Sequence, residues 1–195
     1  MSEASAGGAE GFRSSIPRPA PGEHHDFYSG YVSLVPEGDD VLRVLQEGIA
    51  QTRAVLDGVP PEAEGYRYAP GKWTIRQVVR HLVDTERIFA YRALHIARGA
   101  AAPLPGMDQE AWARESNAGQ RPLSDLLDEL EAVRRAGLHL FRSFSPEILA
   151  RRGTASGYEF TVRSFAWITA GHEIHHRGLL RDRYLPGLRE GGEEA

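Results

Sequence analysis

Four segments of the chain carry apolar residues at the 3.6-residue period of a helix, and no segment of similar length alternates as a strand would. The first covers about 39–57, with Asp39 or Asp40 as N-cap and Val41, Leu42, Leu45, Ile49 and Leu56 on its stripe. Gly58, Pro60 and Pro61 end it. The second, about 74–98, opens at Thr74 and closes at Gly99. The third, about 123–144, carries Leu126, Leu127, Leu130, Val133, Leu140 and Phe141, and Ser145-Pro146 stops it. The fourth, about 161–184, opens at Thr161 and closes before Pro186. Each helix has one apolar stripe to bury, so four of similar length predict an all-α four-helix bundle with long connecting loops.

Two of those loops have content of their own. In 99–121, Asp108 is placed to cap a short helix carrying Trp112, and the segment is long enough to fold over a site as a lid. In "RRGTASGYEFTV", Gly153 and Gly157 flank a turn that suits a small β-hairpin. Residues 1–26 are rich in Gly, Ala, Ser and Pro without a period. They predict a disordered or loosely docked arm in which His24 and His25 are solvated. Residues 187–195 predict a flexible tail, which leaves 27–186 as the folded domain.

Composition narrows the function. A net charge of −4 and a pI near 6.1 argue against a nucleic-acid partner, which needs a basic surface. With no cysteine there is no disulfide, thiolate ligand or cysteine nucleophile, which suits a reducing cytoplasm. No apolar signal region or membrane-length segment is present, so the expectation is a cytoplasmic protein without a membrane partner.

The stretch "GHEIHHRGLL" (171–180) carries the chemistry. With His172 at zero on a helical wheel, Phe165 falls near about +20°, Ile168 near −40°, His176 near +40° and Leu179 near −20°. His172 and His176 therefore share the centre of the inward stripe, and His175 lies on its edge. Buried imidazoles need partners, and an i, i+4 pair can aim two ring nitrogens at one metal ion. His81 offers the third. It lies about 10 Å from the start of the second helix, and the His172–His176 midpoint lies about 15 Å from the end of the fourth. Antiparallel packing of the two helices makes the three imidazoles nearly level. The second helix also carries His95, far out of that plane, and His139 on the third reads as a packing or surface residue. Three neutral imidazoles with room for water form an open site of catalytic type.

The same residues satisfy H-E-x-x-H, with Glu173 as general base of a zinc peptidase. Glu173 sits near about +100°, off the stripe, and no third ligand of the expected kind follows His176. A wider pattern is more specific. "YAPGKWTIRQVVRHLVDTERIFAYRAL" (68–94), "LPGMDQEAW" (104–112) and "GHEIHHRGLL" resemble, in that order, the DinB/YfiT-like family over roughly residues 30–186. Trp73-Thr74 and His81 match the family's motif on the second helix, and His172 and His176 match its H-x-x-x-H on the fourth. The resemblance implies a four-helix bundle, a divalent metal (zinc or nickel) on those three histidines, and a homodimer. It also implies reactions on small molecules: S-transfer from low-molecular-weight thiols, isomerisation or hydrolysis.

An open three-histidine metal acidifies a bound water for hydrolysis or a thiol for transfer. Asp84 and Thr85 are candidates to orient His81, and Arg92 to meet an anionic substrate group. His175 is a candidate proton shuttle. The alternative is a non-catalytic bundle whose metal is structural or a sensor. A structural site closes its coordination, whereas a catalytic one leaves a position open.

Overall fold

The computed structural model describes residues 15–190; positions 1–14 and 191–195, parts of the predicted arm and tail, lie outside the described residues. After a short helix α1 (Ser29–Leu34), α2 (Val41–Leu56) starts where the Asp40 carboxylate accepts the Leu42 N–H. In α3 (Ile75–Ala97) Thr74 and Gln77 exchange side-chain and backbone hydrogen bonds as a capping box, and Gly99 leaves the helix at φ +74°. Asp108 caps α4 (Gln109–Glu115). The Glu64 carboxylate takes the first N–H of α5 (Leu123–Arg142), where Pro122 can offer no side-chain cap. Ser145 caps α6 (Pro146–Leu149), so Ser145-Pro146 ends one helix and begins the next. The hairpin β1 (Arg152–Ala155) and β2 (Tyr158–Thr161) turns at Ser156 and Gly157, both at positive φ. The chain then forms α7 (Val162–Leu179), a π-helical turn over Leu180–Tyr184, and α8 (Leu185–Glu190).

Four long helices make the predicted bundle, but consecutive ones are not all neighbours. Contacts join α3 to α5 and α7, and α2 to α7 and α5, so α2 lies diagonal to α3. Side-chain pairs give the directions. Glu86 meets Arg134 and Arg80 meets Glu129, so α3 and α5 run parallel. Arg53 meets Glu131 while Gln46 meets Arg142, so α2 and α5 run opposite. Phe89 lies against Phe165 while His81 lies against His172, so α3 and α7 also run opposite. Parallel α3 and α5 force the intervening segment back along the bundle, and this return carries α4 past the start of α3. There the Trp73 indole N–H donates to Glu110 and the Gln77 amide to the Ala113 carbonyl.

One buried polar network ties the four helices together. The Arg134 guanidinium donates to both Glu86 oxygens (2.6 and 2.8 Å), to Glu173 Oε2 (2.8 Å) and to the Leu45 carbonyl (2.6 Å). The Thr52 hydroxyl donates to Glu173 Oε1 (2.7 Å). Gly48 makes room for it, since a Cβ there would lie 2.3 Å from Glu173 Oε2.

Packing begins earlier than the composition of the arm suggests. Ile16 is buried, its carbonyl accepts the Trp167 indole N–H, and Arg18 lies over the Trp167 ring while donating to the Val32 carbonyl. Glu23 pairs with Arg163, and His24 is buried rather than solvated. Three side chains that reach other elements hold a segment whose neighbours are Gly, Pro and Ala. At the other end the helical run passes through the π-helical turn and Pro186 into α8, so Pro186 does not stop it.

Candidate metal centre

The opposed directions of α3 and α7 bring the start of one level with the end of the other, and His81 meets His172 and His176. His172 Nε2 lies 3.1 Å from Nε2 of His81 and 3.1 Å from Nε2 of His176. One ligand nitrogen from each of the three histidines falls within 4.8 Å of the other two. Two ligands on a tetrahedral ion at about 2.05 Å are about 3.3 Å apart, so this spacing fits one small divalent ion. The three rings are 6%, 6% and 7% exposed. Burial pushes the His81 imidazole down to about 4. Burial, with the neighbouring imidazoles adding to it, holds His172 and His176 well below their ordinary value. All three are therefore neutral near pH 7, and each can present a lone pair. The described residues thus hold a donor set that fits a divalent metal: neutral nitrogens, converging and desolvated.

Thr85 helps fix one tautomer. Its hydroxyl donates to the His81 carbonyl (2.7 Å) and its oxygen stands 3.5 Å from His172 Nδ1, the long limit of a hydrogen bond. A proton held at Nδ1 leaves the His172 Nε2 lone pair free. His176 Nδ1 is buried without a partner among the described residues. Trp73 packs its ring 4.7 Å from His81 and 6.5 Å from His176.

Two cavities reach the histidines. One, of about 350 Å³, is lined by His81 and His172 and extends to Phe89, Arg92 and Ser156. The other, of about 260 Å³, reaches His176 past Trp73 and Lys72. Tyr31 and Gln109 line both. The site is open, and the return segment supplies part of its rim through Met107, Asp108 and Gln109. Trp112 itself is 43% exposed and lines neither cavity.

Tyr31 is a member the sequence did not announce. Its ring meets His172 and His175 edge-on at 5.2 and 5.4 Å, and burial pushes its phenol up, so it stays a neutral donor. Gly171 explains its position: a Cβ there would lie 1.8 Å from the Tyr31 carbonyl oxygen. A glycine in the interior of a helix, beside the histidine pair, was the available signal of close backbone approach.

The remaining candidates separate. Glu173 is turned away from the histidines and committed to Arg134 and Thr52, which removes it as a general base and with it the peptidase reading. Asp84 pairs with Arg80 and Arg87 instead of orienting His81, because its side of α3 faces α5. Arg92 is buried and lines the larger cavity. His175 is exposed beside Tyr31 and His176. His95 Nε2 donates to the Ala102 carbonyl, away from the site, and His139 is exposed.

Comparison with known proteins agrees with this geometry. Two Oceanobacillus iheyensis proteins with provisional names as metal-dependent hydrolases are 30% identical over 111 residues and 31% identical over 112. Each alignment spans 56% of this chain and 63% of the relative. YfiT from Bacillus subtilis, described provisionally as a metal-dependent hydrolase with an unusual four-helix bundle topology, superposes with a TM-score of 0.68 at 20% identity. That match covers 78% of this chain and 86% of YfiT. A mycothiol-dependent maleylpyruvate isomerase superposes at 0.58 with 15% identity, over 70% of this chain and 57% of the isomerase. The sequence profile of the DinB superfamily matches residues 45–180, which include all three histidines, and the chain belongs to the DinB superfamily.

Proposed function

We propose that the chain is a metal-dependent enzyme that activates a small nucleophile against a small-molecule substrate, with hydrolysis as the reaction. His81, His172 and His176 would hold one divalent ion, zinc or nickel. The convergence of their three Nε2 atoms at the junction of two cavities carries the reading. When bound there, a divalent ion acidifies a water molecule towards neutral pH. The chain's own residues do the rest. Burial keeps the three imidazoles neutral and so able to bind. Thr85 holds a proton on His172 Nδ1, Tyr31 stands as a neutral donor beside the site, and Trp73 packs against His81.

The hydrolase names of the Oceanobacillus relatives support water as the nucleophile. The mycothiol-dependent structural neighbour supports thiol transfer as the second reading, since the same ion would acidify a thiol equally well. The open cavities speak against a closed structural ion. Elemental mass spectrometry on untagged protein, beside His81→Ala and His176→Ala, tests the site. The expected result is about one zinc or nickel per chain, lost in both variants while the helical circular dichroism persists. No metal in protein refolded with either ion would sink the reading. A screen of esters and amides against thiol–electrophile pairs then separates hydrolysis from transfer.

A further inference from the structure

Arg92 is 3% exposed, as deeply buried as Arg134, yet the two guanidinium groups are treated differently. Arg134 lies between two carboxylates. Arg92 pairs with no carboxylate among the described residues. Its Nη2 donates to the Pro105 carbonyl (3.0 Å) and to Ser156 Oγ (2.8 Å), both neutral. Its Nε and Nη1 take no acceptor from the described residues and are not among the sealed polar atoms. A desolvated cation without a counter-charge is costly, and one that lines a cavity shared with His81 and His172 has an obvious remedy.

We infer that the larger cavity binds a carboxylate-bearing small molecule, its carboxylate on Arg92 and Ser156 and its reacting group at the three histidines. The inference deepens the proposed function and rests on it for the reacting end. Ser156 Oγ accepts from Arg92 and keeps its own proton to donate to the anion. The hairpin turn fixes its place, at φ 54° with its N–H on the Leu104 carbonyl (2.9 Å). Between the two ends the wall is apolar, formed by Ile88, Phe89 and Met107. Among the described residues Arg92 is the one permanent cation on the lining, which suits a single negative charge better than a phosphate dianion. Asp108, the lining carboxylate, is engaged in accepting the Glu110 and Ala111 N–H groups.

Cobalt-loaded protein provides the test, because the visible spectrum of the ion reports the histidine site independently of the carboxylate. Alkyl hydroxamates ending in a carboxylate, in a ladder of chain lengths, are titrated beside their carboxamide twins. At the best length the acid should bind about tenfold to a hundredfold more tightly than the amide. The preference should vanish in Arg92→Gln with the cobalt spectrum intact. Where that variant does not fold, Ser156→Gly, which suits the positive φ, should weaken the preference several-fold. Equal binding of acid and amide at every length overturns the inference alone, as does a preference unchanged in the folded variant. Tighter binding of a phosphonate tip overturns the choice of carboxylate. Absence of a cobalt spectrum overturns the metal reading and this inference together.

Discussion

Gly171 and Gly178 lie on the same helix and should respond oppositely to an added methyl group. At Gly171 a Cβ would collide with the Tyr31 backbone, whereas at Gly178 nothing among the described residues lies within 4 Å. Gly171→Ala should therefore cost about 1–3 kcal/mol in urea unfolding and loosen α1 from the site. Gly178→Ala should gain roughly 0.5–1 kcal/mol from helix propensity. Equal effects would refute the close crossing of α1. The His81 imidazole makes a second residue-scale prediction. Its pKa falls from an ordinary 6.5 to about 4 on folding, so between those values the unfolded chain binds the proton and the native chain does not. Stability present above pH 6.5 is lost as pH falls, by about 3 kcal/mol for this group near pH 4. Metal-free protein unfolded in urea at pH 7 and pH 4.5 should show a smaller acid loss in His81→Ala than in the parent. His81, His172 and His176 were legible in the sequence because imidazoles at the centre of an apolar stripe demand an explanation. Tyr31 was not, because six helical residues are too few to show a period.

Among the elements, the long helices were readable from their ends, since Asp40, Thr74 with Gln77, and Gly99 act locally through hydrogen bonds or φ. The Arg134 network was not. Glu173 could be read as off the inward stripe, but its partners, Thr52 and Arg134, come from two other helices, and nothing local pairs residues 52, 86, 134 and 173. That network makes a prediction of its own. Arg134→Leu strands Glu86 and Glu173 in the interior, where burial already raises the Glu86 carboxyl despite its arginine. The expected cost is roughly 3–5 kcal/mol, read from the urea midpoint. Adding Glu86→Gln and Glu173→Gln removes the stranded charges and should recover most of it. A single variant within about 1 kcal/mol of the parent would mean that the carboxylates find water or protons easily, and the network would then not clamp the bundle.

At the scale of the molecule, the order of the helices decides what the candidate metal does for stability. The histidines join only α3 and α7, whereas apolar clusters run along the bundle and the Arg134 network joins all four helices. The fold was legible as a bundle, but its order was not. Stripe and loop length are satisfied by several arrangements, and the return segment that rims the cavity follows only from α3 and α5 being parallel. A chain built this way should fold without metal and gain stability when metal binds the native state alone. At a free ion concentration a hundred times the dissociation constant the gain is about 2.7 kcal/mol, which for a chain of this size raises Tm by roughly 5–10 °C. Thermal unfolding followed by helical circular dichroism, with and without zinc, should show that increment over an unchanged starting spectrum. In His81→Ala the increment should vanish while the metal-free transition remains cooperative. Helix content that collapses on chelation would instead make the ion part of the fold, and the open-site reading would give way to a structural one.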